Sequence, residues 1–284
     1  MISLRRMTGD DIALGMRLKE QAGWNQTEAD WRRCLDLQPD GCFVAEYDGT
    51  PAGTVTTCIF GSVAWIAMVL VDVTLRGRGI GRALLDRALE FLDERGIPSV
   101  RLDATPLGRP LYQTLGFVEE YTLIRHDGVP VVAEAAADPS AKMTIRVLCA
   151  EHLERIVQLD RRITNTDRQA LLRRLFVETP DQWHAAIEDE TVRGFVAARP
   201  GSRAWQIGPC LATADAGPLL LADALRRHTG QRVFVDVPTD NPASLAVVQA
   251  AGLVAQRPLY RMGRGVTMSE NIEQLWSSFG PEKG

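Results

Sequence analysis

A chain of 284 residues is long enough for one large domain or two of ordinary size. Hydrophobic residues make up 45% and charged residues 24%, the balance of a soluble globular protein, and no apolar run approaches the roughly 20 residues of a membrane span. A net charge of −4 argues against a nucleic-acid coat, and five scattered cysteines without a C-x-x-C pair predict reduced thiols in a cytoplasmic protein. Four dispersed histidines offer no metal-ligand spacing, so no metal is expected.

The first predicted strand, 2–6, leads into a helix from about Asp10, and a second helix opens at Thr27, whose hydroxyl can cap it together with Asp30. Trp24 and Asn25 fall in the loop between these helices. Trp31 lies at helical spacing from Cys34 and Leu35. The stretch CFVAEYDGTPAGTVTTCIF (42–60) reads as a hairpin turning at Asp48–Gly49. The apolar run 64–73 is a central strand covered on both faces. A helix over 79–94, a short strand 99–103, a short helix near 108–115 and a last strand 117–125 follow. The fold class is α/β (α+β), a mixed sheet flanked by helices.

The segment VDVTLRGRGIGRALLDRAL (71–89) places Gly77, Gly79 and Gly81 at alternate positions and then enters a helix. Glycine weakens strands and helices alike, so this spot needs unobstructed backbone. Free amides at a helix start form an anion site. A Rossmann G-x-G-x-x-G fails here because the sixth position from Gly77 is Arg82, and no G-K-[ST] closes a P-loop. The pattern [QR]-x-x-G-x-[GA] fits, filled by Arg76, Gly79 and Gly81. Arg76, Arg78 and Arg82 also stand out against a first half that carries 15 Lys+Arg and 20 Asp+Glu over residues 1–142, a local basic spot suited to one small anion.

The chain then repeats. ISLRRMTGDDIALGMRLKE (2–20) is echoed by MTIRVLCAEHLERIVQLDR (143–161), and Gly116 of LYQTLGF corresponds to Gly252. The small, polar, Pro-containing stretch 133–142 reads as a linker between domains 1–132 and 143–284. In the second copy Gly217–Pro218 leaves one amide fewer where the loop would be, Val248 falls at the place of Tyr112, and Asn241 at that of Thr105. SENIEQLWSSF (269–279) has Ile272, Leu275, Trp276 and Phe279 on one side of a helix, which predicts an amphipathic tail helix docked on its own chain.

With these motifs on the page, VLVDVTLRGRGIGRALL and LYQTLGF together resemble the GNAT superfamily of acetyl-CoA-dependent N-acetyltransferases over most of residues 1–130. GWNQTEADW, DATPLGRPLYQTLGF, IGP and RMGRG resemble a bacterial tandem subfamily with a degenerate second domain. The resemblance implies acetyl-CoA as co-substrate, with main-chain groups of Val69, Leu70 and Val71 pairing the pantetheine arm. The amides of Arg76, Gly77, Arg78, Gly79, Ile80, Gly81 and Arg82 would hold the pyrophosphate. It places Tyr112 as the general acid that protonates the departing thiolate, although Thr105 stands where the superfamily often has Asn. Asp103, at a strand end facing the cleft, is the candidate base, or else a residue capping the following turn. Trp24, Asn25 and Trp31 sit where the acceptor pocket is built; Trp31 is equally a core residue. The implied activity is N-acyl transfer to a small-molecule or protein amine, with no nucleic-acid or membrane partner; a non-catalytic acyl-CoA-binding regulatory module is the alternative. For the second domain the open roles are scaffold, acceptor-pocket wall and homodimer surface.

Overall fold

The structure, a computed structural model, describes residues 1–132 and 142–284; apart from Lys142, the expected linker lies outside them. The first half runs β1 (Ile2–Arg6), α1 (Ile12–Ala22), α2 (Glu28–Leu37), β2 (Phe43–Tyr47), β3 (Thr50–Phe60), β4 (Val63–Val71), α3 (Ile80–Asp93), β5 (Ser99–Ala104), α4 (Arg109–Thr114) and β6 (Val118–Gly128). The second half repeats the order: β7 (Met143–Val147), α5 (Leu153–Thr164), α6 (Gln169–Glu178), β8 (His184–Glu188), β9 (Thr191–Arg199), β10 (Trp205–Ala212), α7 (Gly217–Arg227), β11 (Val233–Pro238), α8 (Pro242–Ala250) and β12 (Val254–Gly265), with β13 (Leu275–Ser277) added. Local signals account for the boundaries. The Thr27 amide and hydroxyl both donate to Asp30, at 2.8 and 3.0 Å, which closes the capping box of α2. Asp48 and Gly49 take positive φ of 50° and 77° to turn the β2–β3 hairpin.

All strands join one mixed sheet in the order β1-β2-β3-β4-β5-β12-β6-β11-β10-β9-β8-β7, with β13 on β10. The two halves therefore exchange their last strands. β12 lies against β5 over Tyr260–Gly265, and β6 lies against β11 over Leu123–Gly128. Alternation of side chains across the sheet creates three layers. On one face α1, α2, α5 and α6 share a core that includes Leu18, Trp31, Ile156, Leu172 and Trp183. On the other, α3 covers a core with Ile66, Leu84 and Leu102, and α7 covers one with Val235, Leu221 and Val248.

The exchanged seam buries charge, and the charge is paired. Arg261, fully buried, donates to Asp103 at 2.7 and 3.0 Å and to Glu270 at 3.1 Å; Tyr121 donates to Glu270 at 2.5 Å. Arg125 is held by Asp236 at 2.8 and 2.7 Å in the same way. Removing one member of such a pair leaves an uncompensated buried ion, at a cost of about 3–5 kcal/mol.

The tail departs from the sequence expectation. Segment 269–279 forms no α-helix; only a single 3-10 turn at Ile272–Gln274 precedes β13. It does dock on its own chain, with Leu275, Trp276 and Phe279 buried. Asn241 Nδ2 donates to the Leu275 carbonyl at 3.0 Å and Ser244 Oγ to that of Trp276, so these carbonyls bond sideways rather than along a helix.

Candidate active site

Parallel β4 and β5 pair only through Val63–Trp65 and Ser99–Arg101, then separate. Beyond that point no strand among the described residues lies beside the β5-facing edge of β4. A register shift between Thr54 and Thr56 of β3 bulges β4, and Met68 on the bulge sits at φ 52°. A non-glycine in that region is strained by about 1–3 kcal/mol, and such strain gathers at functional sites. The gap opens into a cleft of about 760 Å³. Val69 and Val71 face the α3 side of the sheet, while Met68 and Leu70 face the α1 side.

At one end of the cleft Asp72 accepts from Thr74 at 3.0 Å and pairs with Arg17, which fixes the turn out of β4 and holds its carboxyl below the usual range. Gly77 and Gly79 adopt φ of 76° and 82°, with Gly79 the N-cap of α3, so the chain can expose successive amides there. Gly81 is under no such constraint. A side chain at Gly81 would only touch Leu111 and Val71 at 3.7 Å. Arg76, Gly77, Gly79, Ile80, Gly81 and Arg82 line the cleft. The side chain of Arg78 turns away, its guanidinium bonding Tyr47 at 3.1 Å, so only its main chain belongs to the loop.

Tyr112 projects from α4 into the cleft, edge-on to Phe117 with ring centroids 5.9 Å apart. A side chain at Gly108 would meet its ring at 2.9 Å, so this glycine makes room for the tyrosine. Burial pushes the phenol pKa up, which keeps the proton in place at neutral pH. Thr105 accepts from the Gly108 amide at 3.3 Å, shaping the turn into α4. Asp103 lines the cleft; burial pushes its carboxyl up against the pull of Arg261.

Of the three residues expected to build the acceptor pocket, only Trp24 reaches the cleft. Trp31 is 0% exposed and packs on Gly15, where any side chain would come within 2.7 Å of its indole. Asn25 lashes the halves together, accepting from the Arg203 and Ala204 amides at 3.0 and 3.1 Å and donating to the Ala204 carbonyl at 2.9 Å. In their place stand Gln21, Gln26, Arg257, Leu259, Pro281 and Glu282. No local motif marks these residues; four of them come from the far half of the chain.

The second half repeats the splay. β10 and β11 pair only over Trp205–Ile207 and Val233–Val235. Here the gap is filled by β13, which pairs with Cys210 and Leu211, while the Ser278 amide donates to the Asp236 carbonyl at 2.8 Å. The Trp276 indole donates to the Ala212 carbonyl at 3.3 Å and lies so close to Gly217 that a β-carbon there would fall 1.8 Å from it. Elsewhere, one group of possible metal ligands gathers among the described residues: Cys149, Glu151 and His152 on the exposed turn before α5, with Sγ 2.8 Å from Nδ1.

The family model described as "Acetyltransferase (GNAT) family" matches residues 14–117, and that described as "Acetyltransferase (GNAT) domain" matches 156–277. An acetyltransferase of Pectobacterium atrosepticum is 37% identical over 105 residues, 36% of this chain and 74% of that relative. The chain belongs to the GNAT acetyltransferases. Its two GNAT domains stand in tandem. Holothin acyltransferase from a Pseudoalteromonas strain is 25% identical over 85% of this chain and 81% of its own length. A putative acetyltransferase of Pyrococcus horikoshii shares the fold across 100% of this chain and 96% of its own, with a TM-score of 0.79 at 21% identity. GNAT acetyltransferases take acetyl-CoA as co-substrate.

Proposed function

We propose that the protein transfers an acyl group from acyl-CoA, acetyl-CoA in the first instance, to a primary amine by direct attack on the thioester. The observation that carries this reading is the convergence, in one open cleft, of an amide-rich helix start and a tyrosine whose hydroxyl has no hydrogen-bond partner among the described residues. Amides of Arg76 to Arg82 hold the pyrophosphate, and the unpaired edge of Val69 to Val71 receives the pantetheine amides.

The amine lone pair attacks the thioester carbon, the C–S bond breaks, and the thiolate takes the Tyr112 proton. Burial that raises the phenol pKa raises the thiolate's proton affinity too, so transfer follows the charge as it develops on sulfur. The proton released by the amine goes to Asp103, directly or through water. Arg261 keeps Glu270 as a counter-charge while Asp103 is protonated. The phenolate recovers its proton from solvent.

Tyr112→Phe removes one oxygen and keeps the ring contact with Phe117. Single-turnover CoA release should slow by roughly 10²–10⁴-fold, with acetyl-CoA affinity unchanged by calorimetry. An unchanged single-turnover rate would overturn the acid, whereas normal acetyl-CoA binding by the unaltered chain without CoA release to any amine would favour a regulatory acyl-CoA-binding module.

A further inference from the structure

The two sides of the cleft carry different chemistry. Side chains of β12 alternate, so Tyr260 turns toward α4, where the Arg109 guanidinium lies 4.3 Å over its ring. Leu259 turns to the α1 face. Arg257 lines the cleft with Leu259, Trp24, Gln26, Pro281 and Glu282, on the side an acceptor would enter.

Charges around it are already spoken for. Asp103 is held by Arg261, Arg125 by Asp236, and Glu282 by Arg199 and by Gln26 Nε2 at 3.1 Å. Among the described residues Arg257 alone on this wall forms neither a salt bridge nor a side-chain hydrogen bond, and its Nε is closed to solvent without a partner. Burial, with Arg125 nearby, brings its pKa down to about 10, so it stays charged at neutral pH. Arg257 is part-buried and lies in the field of Asp236, whose carboxylate is already bonded to Arg125, so its own guanidinium is left without a bonded partner. Gln26 adds a second orphan. Its Nε2 is committed to Glu282, which leaves Oε1 buried and unpartnered.

We propose that Arg257 anchors a carboxylate on the acceptor, so that the amine substrate is a small amino acid rather than a simple amine or a protein amine. This rests on the acyl-transfer reading of the cleft. One guanidinium between the apolar surfaces of Trp24, Leu259 and Pro281 matches a monoanionic carboxylate, which it can grip through two parallel bonds.

The full chain would be given acetyl-CoA and three sets of amines, with CoA release as the readout: α-, β- and ω-amino acids, the carboxamide of each, and simple alkylamines. Free acids should be preferred over their carboxamides by at least about 10-fold in kcat/KM. Arg257→Gln should raise KM for the best acid by about 10²-fold, leave its saturated single-turnover rate nearly unchanged, and leave carboxamide KM values where they were. Arg257→Lys should recover part of the loss. Acids and carboxamides turned over equally, an Arg257→Gln effect of the same size on both, or turnover of alkylamines alone would each overturn the anchor while sparing acyl transfer. Absence of CoA release with every set, despite normal acetyl-CoA affinity, would overturn both.

Discussion

β4 and β5 part after three paired residues, and so do β10 and β11, yet the first gap stays open while the second is closed by the chain's own tail. Parting strands expose main-chain groups that must find partners. In the first half no described strand lies in the fork, and the glycine loop and the edge of β4 line an open cleft. In the second, β13 supplies such partners, Trp276 covers the start of α7, and Asn241 and Ser244 fasten the tail strand by its carbonyls. One frame thus gives a binding site or a sealed core, depending on whether a segment of the same polypeptide lies in the fork.

The comparison can be broken most forcefully at Trp276. Trp276→Ala should lose about 3–5 kcal/mol of stability by denaturant unfolding, the usual cost of deleting a buried indole. Calorimetry at a temperature where the variant is folded should still find one acetyl-CoA per chain, because Pro218 in the first turn of α7 interrupts the run of free amides. Two bound molecules would show that the plug alone, not the lost loop, closes the second fork. Gly79→Val sharpens the other side. A β-branched residue at φ 82° blocks the amides, and acetyl-CoA affinity should fall by at least about 10²-fold. Normal binding by that variant would remove the loop from the site. The smallest effect belongs to Arg82→Ala. Its side chain makes an exposed pair with Asp86, worth no more than about 0.5 kcal/mol, so thermal stability should hardly move. A larger loss would mean that the side chain, not only its amide, supports the loop.

Legibility in the sequence followed locality. The glycine loop, the Thr27–Asp30 box and the Asp48–Gly49 hairpin are each set within a few residues, and each is where the pattern places it. The repeat was legible because it is carried by two distant pairs of matched segments. Strand exchange was not. β6 and β12 have equivalent patterns, and choosing between their partners is a matter of tertiary packing. The tail deceived for a related reason: Ile272, Leu275, Trp276 and Phe279 keep helical spacing, but Asn241 and Ser244, some 30 residues earlier, offer better partners to its carbonyls. Trp31 went to the core and Asn25 to the seam between halves, while Trp24 lines the cleft. Arg257 and Glu282, brought in by exchange and by the tail, had no local mark to betray them.

Strand exchange also sets a schedule for synthesis. When the ribosome has finished β5, the strand that must cover its outer edge lies more than a hundred residues downstream in the message still to be read, as the pairing of Ala104 with Tyr260 makes plain. At the usual pace of translation the wait is on the order of 10–30 s. During it the nascent first half holds the glycine loop and Tyr112 beside an unprotected sheet edge, a template for wrong pairing between neighbouring chains. It lacks Arg257, Glu282 and the counter-charge Arg261 for Asp103 until β12 and the tail arrive. The wall that carries Arg257 and Glu282 is therefore the last part of the cleft to be built.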